Sequence, residues 1–288
     1  MRGRRGREGP NGPPITADRP TTDSRARLDD VPVDPVAAGG FSAAASTYAR
    51  IRPTYARPAI GAIKDLAPRG GRVLDVAAGT GILTGQLLRA GLDLWAVEPL
   101  PAMAAQLRLS LPAVPVALGL AEALPVVDAS VDVMTVGQGF HWFDAGAALA
   151  EAARVLRPDG VLALVWNARD ESTEWVDELT RLVEDRTGGR PYVDHRERPW
   201  AEVVESSGRF EPLVERRYPN PVPTTVEGVM DRLRSTSFVA ALDEGPREEL
   251  LGEAAELLDG HPELTGTFAY PHETVLHTCR VRPARTWR

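Results

Sequence analysis

The sequence predicts an α/β fold in which helices cover both faces of a mostly parallel β-sheet. Short runs of Val, Leu and Ala recur through the middle of the chain, and stretches with helical spacing separate them. Strands buried on both faces read as continuous apolar runs, and parallel neighbours need a helical crossover, so this alternation indicates a doubly wound sheet. With 288 residues, 43% of them hydrophobic, the chain is long enough for one large domain of this kind.

The first 40 residues are expected to form a flexible leader. They are rich in Pro, Gly, Arg and Asp and contain no periodic apolar pattern. Structure is expected from residue 41 to residue 288. It begins with two short helices that Pro53 and Pro58 interrupt, because proline cannot continue a helix.

The elements then follow in order. Strands are predicted at 72–76, 92–97, 114–118, 131–136 and 161–166. Helices are predicted between them at 81–90, 100–109 and 144–156. The later part of the chain is expected to contain an amphipathic helix at 173–185, a strand at 210–218, a mostly helical stretch at 224–260 and a last strand at 274–281.

The charge balance argues against a polyanionic partner. The formal net charge is -7, and beyond residue 30 the chain carries 26 basic and 35 acidic residues. A surface of this sign repels phosphate backbones, so we expect no nucleic-acid substrate. No run of eighteen apolar residues occurs, which argues against a membrane span and favours a cytoplasmic protein. A single cysteine, Cys279, excludes an internal disulfide and a cysteine-rich metal site, and we expect no metal.

A glycine-rich turn follows the first predicted strand and has the sequence DVAAGTG, residues 75–81. Ligands of such sheets bind beyond the carboxyl ends of the strands, where this turn lies. Its glycines are Gly79, Gly81 and Gly85, which is not the G-x-G-x-x-G spacing of a dinucleotide turn. Asp75 would repel a pyrophosphate but attract a cation, such as the ammonium and sulfonium of S-adenosylmethionine. The glycines alone would also suit a plain tight turn.

A second acid, Glu98, closes the next predicted strand, seventeen residues after Gly81. A carboxylate at this place can accept hydrogen bonds from both hydroxyls of an adenosine ribose. Dinucleotide sites use the same device, so Glu98 indicates adenosine without selecting the cofactor.

Four motifs together resemble a known family. They are VLDVAAGTG, VEPLPAM, LGLAEALPVVDASVDVMTVGQGFHWFD and VLRPDGVLAL. In this order and spacing they resemble the class I S-adenosylmethionine-dependent methyltransferases, in particular the small-molecule branch with ubiquinone/menaquinone-biosynthesis-like and trans-aconitate-methyltransferase-like enzymes. The resemblance covers residues 41–168 well and the remainder more loosely. It implies a Rossmann-like seven-stranded sheet of order 3-2-1-4-5-7-6 with strand 7 antiparallel. It also implies a lid at 41–60, a cofactor-binding core at 61–168 and a substrate-covering region at 169–288.

The resemblance assigns cofactor contacts to particular residues. The turn would hold the methionine part, Glu98 the ribose, and Pro99 with Met103 the adenine faces. Leu120 stands where many relatives have Asp or Thr, so the adenine edge would be recognised there through backbone groups. The full set of expected S-adenosylmethionine contacts is Asp75, Ala77, Gly79, Thr80, Gly81, Glu98, Pro99, Met103, Leu120, Ala121, Glu122 and Gln138.

The end of the fourth strand is expected to lie beside the transferable methyl group. His141 is the candidate general base there, and the alternative is a hydrogen-bonded wall residue. Arg52 would pair with a carboxylate of the cofactor or the substrate. The Asn/Asp-Pro-Pro-aromatic sequence typical of enzymes that methylate nucleobases or glutamine is absent, which favours a small-molecule acceptor methylated on a carboxylate or hydroxyl. Residues expected at the lid and substrate side are Tyr48, Arg52, Tyr55, Phe140, Trp142 and Phe238.

Two other functions remain open from the sequence. An NAD-dependent oxidoreductase would share the fold and Glu98, although the turn spacing and Asp75 argue against it. A protein that binds the cofactor without transferring methyl groups would keep the same motifs.

Overall fold

The computed structural model describes residues 53–189 and 199–282. The leader expected at 1–40 lies outside these residues, as do Tyr48 and Arg52, so the roles expected for that stretch stay predictions. Within the described part, no helix is long and apolar enough to cross a membrane. The described residues also contain no group of three or more His, Cys, Asp or Glu placed to hold a metal ion.

Nine strands are present in the described residues. In chain order they are β1 (Arg72–Val76), β2 (Asp93–Glu98), β3 (Val116–Leu118), β4 (Val131–Gly137), β5 (Leu156–Arg169), β6 (Val214–Pro219), β7 (Val222–Thr224), β8 (Phe268–Tyr270) and β9 (His272–Arg280). Seven of them form one sheet in the order β3-β2-β1-β4-β5-β9-β6. β9 runs antiparallel to both of its neighbours, and the remaining pairs are parallel. The predicted order and the single antiparallel strand are confirmed.

The α-helices of the described residues flank this sheet or follow it. They are α1 (Arg57–Leu66), α2 (Ile82–Arg89), α3 (Pro101–Ser110), α4 (Ala145–Val155), α5 (Glu174–Thr187), α6 (Trp200–Ser206), α7 (Val226–Arg234), α8 (Ser237–Ala240) and α9 (Glu244–Asp259). A short 3-10 helix, Phe140–Trp142, lies between β4 and α4. Proline occupies the first turn of α1 and of α3, where its missing N–H has no intrahelical partner to lose.

Three differences from the sequence expectation have local causes. β3 begins at Val116 rather than at residue 114, because Pro115 has no N–H to donate to a neighbouring strand. β5 begins at Leu156 rather than at residue 161. Leu156 pairs with Val131 of β4, and the register of the two strands shifts before Val161 pairs with Val133. β7 and β8 pair as a separate two-stranded ribbon, and strands of only three residues are too short to be predicted from a sequence pattern.

The buried side chains form three clusters. Two of them cover the opposite faces of the large sheet, one around Trp166, Phe140 and Trp200 and the other around Ile63, Leu87 and Val133. The third joins α5, α7 and α9 around Trp175 and includes Met230 and Leu233 from the stretch predicted to be mostly helical.

Candidate functional site

A cavity of about 180 Å³ opens at the carboxyl ends of β1, β2 and β4. This edge is where loops and helix N-termini converge in doubly wound sheets. The residues that line it are Pro53, Tyr55, Asp75, Ala77, Ala78, Gly79, Thr80, Ile82, Leu83, Glu98, Pro99, Leu100, Met103, Gly137, Gln138, Gly139, Trp142 and Phe143.

The glycine turn forms the floor of the cavity and starts α2. Gly79 and Gly81 both have left-handed backbone conformations, with φ of +58° and +91°. A Cβ on Gly81 would also lie only 3.0 Å from Cγ of Leu107. The turn therefore needs glycine at position 81 for two reasons, backbone conformation and close packing against α3.

Glu98 is tied to this turn. It is 3% exposed, and its Oε2 accepts a hydrogen bond from the backbone N–H of Gly79 at 2.8 Å, while Oε1 accepts one from Leu100 N–H at 2.9 Å. Burial raises the pKa of Glu98, and the two backbone hydrogen bonds partly oppose that shift. A carboxylate has about four acceptor positions, so these two bonds leave acceptor capacity for a ligand.

Asp75 lies at the end of β1 and is fully buried. Its two oxygens accept hydrogen bonds from the hydroxyls of Thr84, at 2.5 Å, and Thr135, at 2.8 Å. Burial raises the pKa of Asp75 to about 6, against the lowering effect of these hydrogen bonds. The hydroxyls of Thr84 and Thr135 therefore hold a carboxylate in a fixed orientation at the cavity, where its ionised form contributes negative charge.

Two non-glycine residues of the wall have strained backbones. Ala77 has φ of +52° and Gln138 has φ of +59°. Such conformations cost on the order of 1–3 kcal/mol and persist where surrounding structure enforces them. The N–H of Gln138 donates to the carbonyl of Val165 at 2.9 Å. Ala77 packs closely against Gly139, because a Cβ built on Gly139 would lie only 3.1 Å from the Cβ of Ala77.

Aromatic side chains also line the cavity. Tyr55 is buried, whereas Trp142 is 39% exposed, and both line the cavity together with Phe143. A Cβ built on Gly137, the last residue of β4, would lie 2.7 Å from the hydroxyl oxygen of Tyr55. The tyrosine hydroxyl therefore packs directly against the backbone at the end of β4.

The structure brings together ten of the residues expected at the site. Those that line the cavity are Tyr55, Asp75, Ala77, Gly79, Thr80, Glu98, Pro99, Met103, Gln138 and Trp142. Seven others do not line it, and these are Gly81, Leu120, Ala121, Glu122, Phe140, His141 and Phe238. The expected set did not include eight other wall residues, which are Pro53, Ala78, Ile82, Leu83, Leu100, Gly137, Gly139 and Phe143.

Several of the residues outside the wall have other contacts. Glu122 accepts a hydrogen bond from the N–H of Asp144 at 2.9 Å, which joins its loop to the start of α4. Phe140 is 2% exposed and packs edge-on against Trp200 in the core. Phe238 packs against the helical cluster. The ring of His141 lies 4.8 Å from that of Trp142, one residue away from the cavity wall.

The electrostatics of the wall suit a cationic ligand with polar groups. Asp75 and Glu98 are acidic, and none of the described lining residues is Lys or Arg. The hydroxyl oxygen of Thr80 is buried at the cavity with no hydrogen-bond partner among the described residues. An unpaired buried hydroxyl costs free energy that a polar ligand group would recover. A pyrophosphate would face two carboxylates here with no described basic side chain to neutralise it.

Comparison with known proteins places these features in a family. A model of the Methyltransferase domain family matches residues 74–164. An uncharacterized methyltransferase of Mycobacterium tuberculosis is 38% identical over 237 residues, which cover 82% of this chain and 93% of that protein. A malonyl-[acyl-carrier protein] O-methyltransferase of Methylococcus capsulatus is 35% identical over a shorter region, 43% of this chain and 48% of that protein.

Among solved structures, a candidate type II methyltransferase from Anaeromyxobacter dehalogenans superposes with a TM-score of 0.59. It is 26% identical in sequence, and the match covers 80% of this chain and 97% of that one. The fold, including the region after β5, is therefore shared over most of both chains.

Proposed function

Because the chain belongs to the class I S-adenosylmethionine-dependent methyltransferases, we propose that it methylates an oxygen, either a hydroxyl or a carboxylate, of a small-molecule acceptor. The methyl donor of this family is S-adenosylmethionine, the cofactor expected from the sequence. The observation that carries the proposal is the cavity itself, which is lined both by an acidic wall, the side chains of Asp75 and Glu98, and by an aromatic wall, the side chains of Tyr55, Trp142 and Phe143.

The residues of the acidic wall would hold the donor. Glu98 would accept the ribose hydroxyls with the acceptor capacity that Gly79 and Leu100 leave. Pro99 and Met103 would flank the adenine. Thr80 would bond the amino acid part through its unpaired hydroxyl, and Asp75 would favour the cationic groups through its charge. When bound, the cofactor supplies a methyl group on a sulfonium, which is electrophilic without further activation.

The aromatic wall would orient the acceptor. Methyl transfer depends mainly on alignment with the methyl–sulfur bond and on exclusion of water, and alignment alone supplies several kcal/mol. Tyr55, Trp142 and Phe143 offer an apolar surface for the body of such an acceptor. The malonyl-[acyl-carrier protein] relative, an O-methyltransferase, gives limited support for oxygen as the acceptor atom.

The chain's own charge supports a small acceptor over a nucleic acid. The net charge of -7 disfavours a polyanion, and the described wall lacks the cations that would bind phosphates. His141, the base expected from the sequence for a hydroxyl acceptor, does not line the cavity, so it would act as a base only if its ring entered the cavity beside Trp142.

The test is isothermal titration of the purified protein with S-adenosylmethionine, S-adenosylhomocysteine and NAD⁺ in parallel. We expect dissociation constants on the order of micromolar for the first two and no heat with the third. An acceptor screen of phenols and small carboxylic acids then follows, with formation of S-adenosylhomocysteine as the readout. Binding of NAD⁺ alone would overturn the proposal, and cofactor binding without turnover across the screen would favour a binding-only protein.

A further inference from the structure

Asn167, near the end of β5, bonds the chain segment that begins the described structure. Its Nδ2 donates to the carbonyl oxygens of Pro53 and Thr54, each at 3.2 Å. Pro53 lines the cavity, as does Tyr55 two residues later. One side chain on the sheet therefore bonds two consecutive carbonyls at the mouth of the site, from more than 110 positions away in the sequence.

Two neighbouring side chains fix the orientation of the Asn167 amide. The hydroxyl of Thr274 on β9 donates to Asn167 Oδ1 at 2.7 Å, and Asn220 Nδ2 donates to the same oxygen at 3.1 Å. With its oxygen occupied by two donors, the amide must present its NH₂ group to the segment. Asn220 also donates to the carbonyl of Thr54 at 2.7 Å, and Thr274 accepts the N–H of Ala56 at 2.8 Å.

The other side of the segment is bonded by Gln86 on α2. Its Oε1 accepts the N–H of Tyr55 at 2.8 Å, and its Nε2 donates to the Tyr55 carbonyl at 2.7 Å. The glycine turn starts the same helix. Segment 53–56 is thus bonded on one side by a side chain of α2 and on the other by side chains of β5, β9 and the residue after β6.

This arrangement sets the position of Tyr55 in the cavity. With its own backbone held on both sides, Tyr55 places its hydroxyl against Gly137, at the end of the strand beside the expected methyl group. The backbone of Asn167 contributes a second contact, because its carbonyl accepts a hydrogen bond from Gln138 Nε2 at 3.2 Å. Asn167 therefore bonds residues on two parts of the wall.

We propose that Asn167 is a positioning residue that, with Thr274 and Asn220, clamps segment 53–56 over the bound cofactor and controls its release. The inference rests on the proposed function for the identity of the ligand. Its physical basis is a connected set of hydrogen bonds, since the three clamp residues bond one another as well as the carbonyls of Pro53 and Thr54 and the N–H of Ala56.

The test compares Asn167→Ala, Asn167→Asp and Thr274→Val with the wild-type protein. Asn167→Asp keeps the oxygen that Thr274 and Asn220 bond but loses the donor to Pro53 and Thr54. Thr274→Val keeps the buried shape and loses the hydroxyl. Gln106→Ala is the matched control, because this amide lies on α3 and bonds Ser110. The readouts are amide hydrogen exchange at Tyr55 and Ala56, the dissociation rate of S-adenosylhomocysteine and the melting temperature.

We expect both exchange and dissociation to be about tenfold faster in the three clamp variants and unchanged in the control. Asn167→Asp should behave like Asn167→Ala, because the lost donor is what matters. Unchanged exchange and dissociation in folded variants would overturn the proposal, as would a fall in melting temperature with unchanged dissociation. If the wild-type protein binds no S-adenosylhomocysteine, the proposed function fails, while exchange at residues 55 and 56 still decides whether the clamp exists.

Discussion

The backbone N–H of Gly79 donates a hydrogen bond to Oε2 of Glu98, across 19 positions of sequence, at 2.8 Å. The glycine turn and the acid at the end of β2 are therefore one structural unit, because the carboxylate that is expected to bind the ribose also fixes the turn beneath it. Removing the acid should affect both the ligand contact and the shape of the turn.

For Glu98→Ala we expect the affinity for S-adenosylhomocysteine to fall at least tenfold, about 1.4 kcal/mol or more. The buried N–H groups of Gly79 and Leu100 lose their acceptor, so the free energy of unfolding should also fall, by about 1–3 kcal/mol. Titration calorimetry and urea unfolding measure the two effects. Asp93→Asn, at the exposed start of the same strand, is the control. Unchanged affinity in a folded Glu98→Ala protein would remove Glu98 from the binding site.

Asp75 should make folding stability depend on pH between about 4 and 6. Burial raises its folded-state pKa from 3.8 to about 6, so the folded protein keeps a proton that the unfolded chain releases. In this window stability falls as pH rises, by about 1.4 kcal/mol per pH unit, and above pH 6 the loss is constant. The contribution is fully present only below the unfolded-state pKa.

Urea unfolding of wild-type protein and Asp75→Asn at several pH values between 4 and 7 isolates this effect. The neutral amide cannot titrate, so the stability of Asp75→Asn relative to wild type should rise through this window. Asp65→Asn, on an exposed position of α1, reports the general effect of replacing an aspartate. A stability difference that stays constant over the whole range would mean that Asp75 ionises alike in the folded and unfolded states.

Gly137→Ala should disturb the aromatic wall. The added methyl group would lie 2.7 Å from the Tyr55 hydroxyl and 3.1 Å from Cδ2 of Leu83, so the tyrosine ring must shift. Overpacking of this kind costs about 1–3 kcal/mol. We expect weaker cofactor binding as well, and we expect Tyr55→Phe in the same chain to restore part of both losses.

The control for this prediction is Gly61→Ala in α1. A Cβ there has nothing within 4 Å, and alanine favours helices over glycine by up to about 1 kcal/mol. That variant should be as stable as wild type or more so, with unchanged binding. If Gly137→Ala matches it in both measurements, Tyr55 does not pack as the structure has it.

The sequence supported the sheet and the acidic wall because both depend on local pattern. A continuous apolar run predicted β1 with the bounds that the structure shows. The position of Glu98 relative to the turn followed from the spacing of adjacent elements in a parallel sheet. Residues next to a strand end could thus be assigned to the site. The antiparallel last strand and the sheet order came from the family resemblance and were confirmed.

The clamp could not be predicted in the same way. Asn167 bonds Pro53, Asn220 and Thr274 at sequence separations of 114, 53 and 107, and no periodic pattern marks an asparagine near a strand end. Similarly, Thr84 lies in a helix and Thr135 in a strand, and no sequence pattern indicates that either hydroxyl bonds Asp75. Such polar contacts depend on tertiary packing, which sequence pattern does not encode locally.

Trp142 and His141 lie side by side in the 3-10 helix after β4, but only Trp142 lines the cavity. Replacing a residue that contacts the acceptor should change the KM or kcat for the acceptor directly. Replacing a neighbouring residue should change them only by displacing the residues of the wall. We therefore expect Trp142→Ala to lower kcat/KM for the acceptor at least tenfold, about 1.4 kcal/mol of transition-state stabilisation.

For His141→Ala we expect unchanged cofactor affinity and a fall in kcat/KM of less than about threefold, since its ring lies outside the wall. The measurement is kcat/KM from pH 5 to pH 9 for both variants, with the acceptor found in the screen. A general base would leave a different signature. His141→Ala would then lower kcat/KM as strongly as Trp142→Ala, and the acidic limb of the profile, where a histidine base becomes protonated, would disappear.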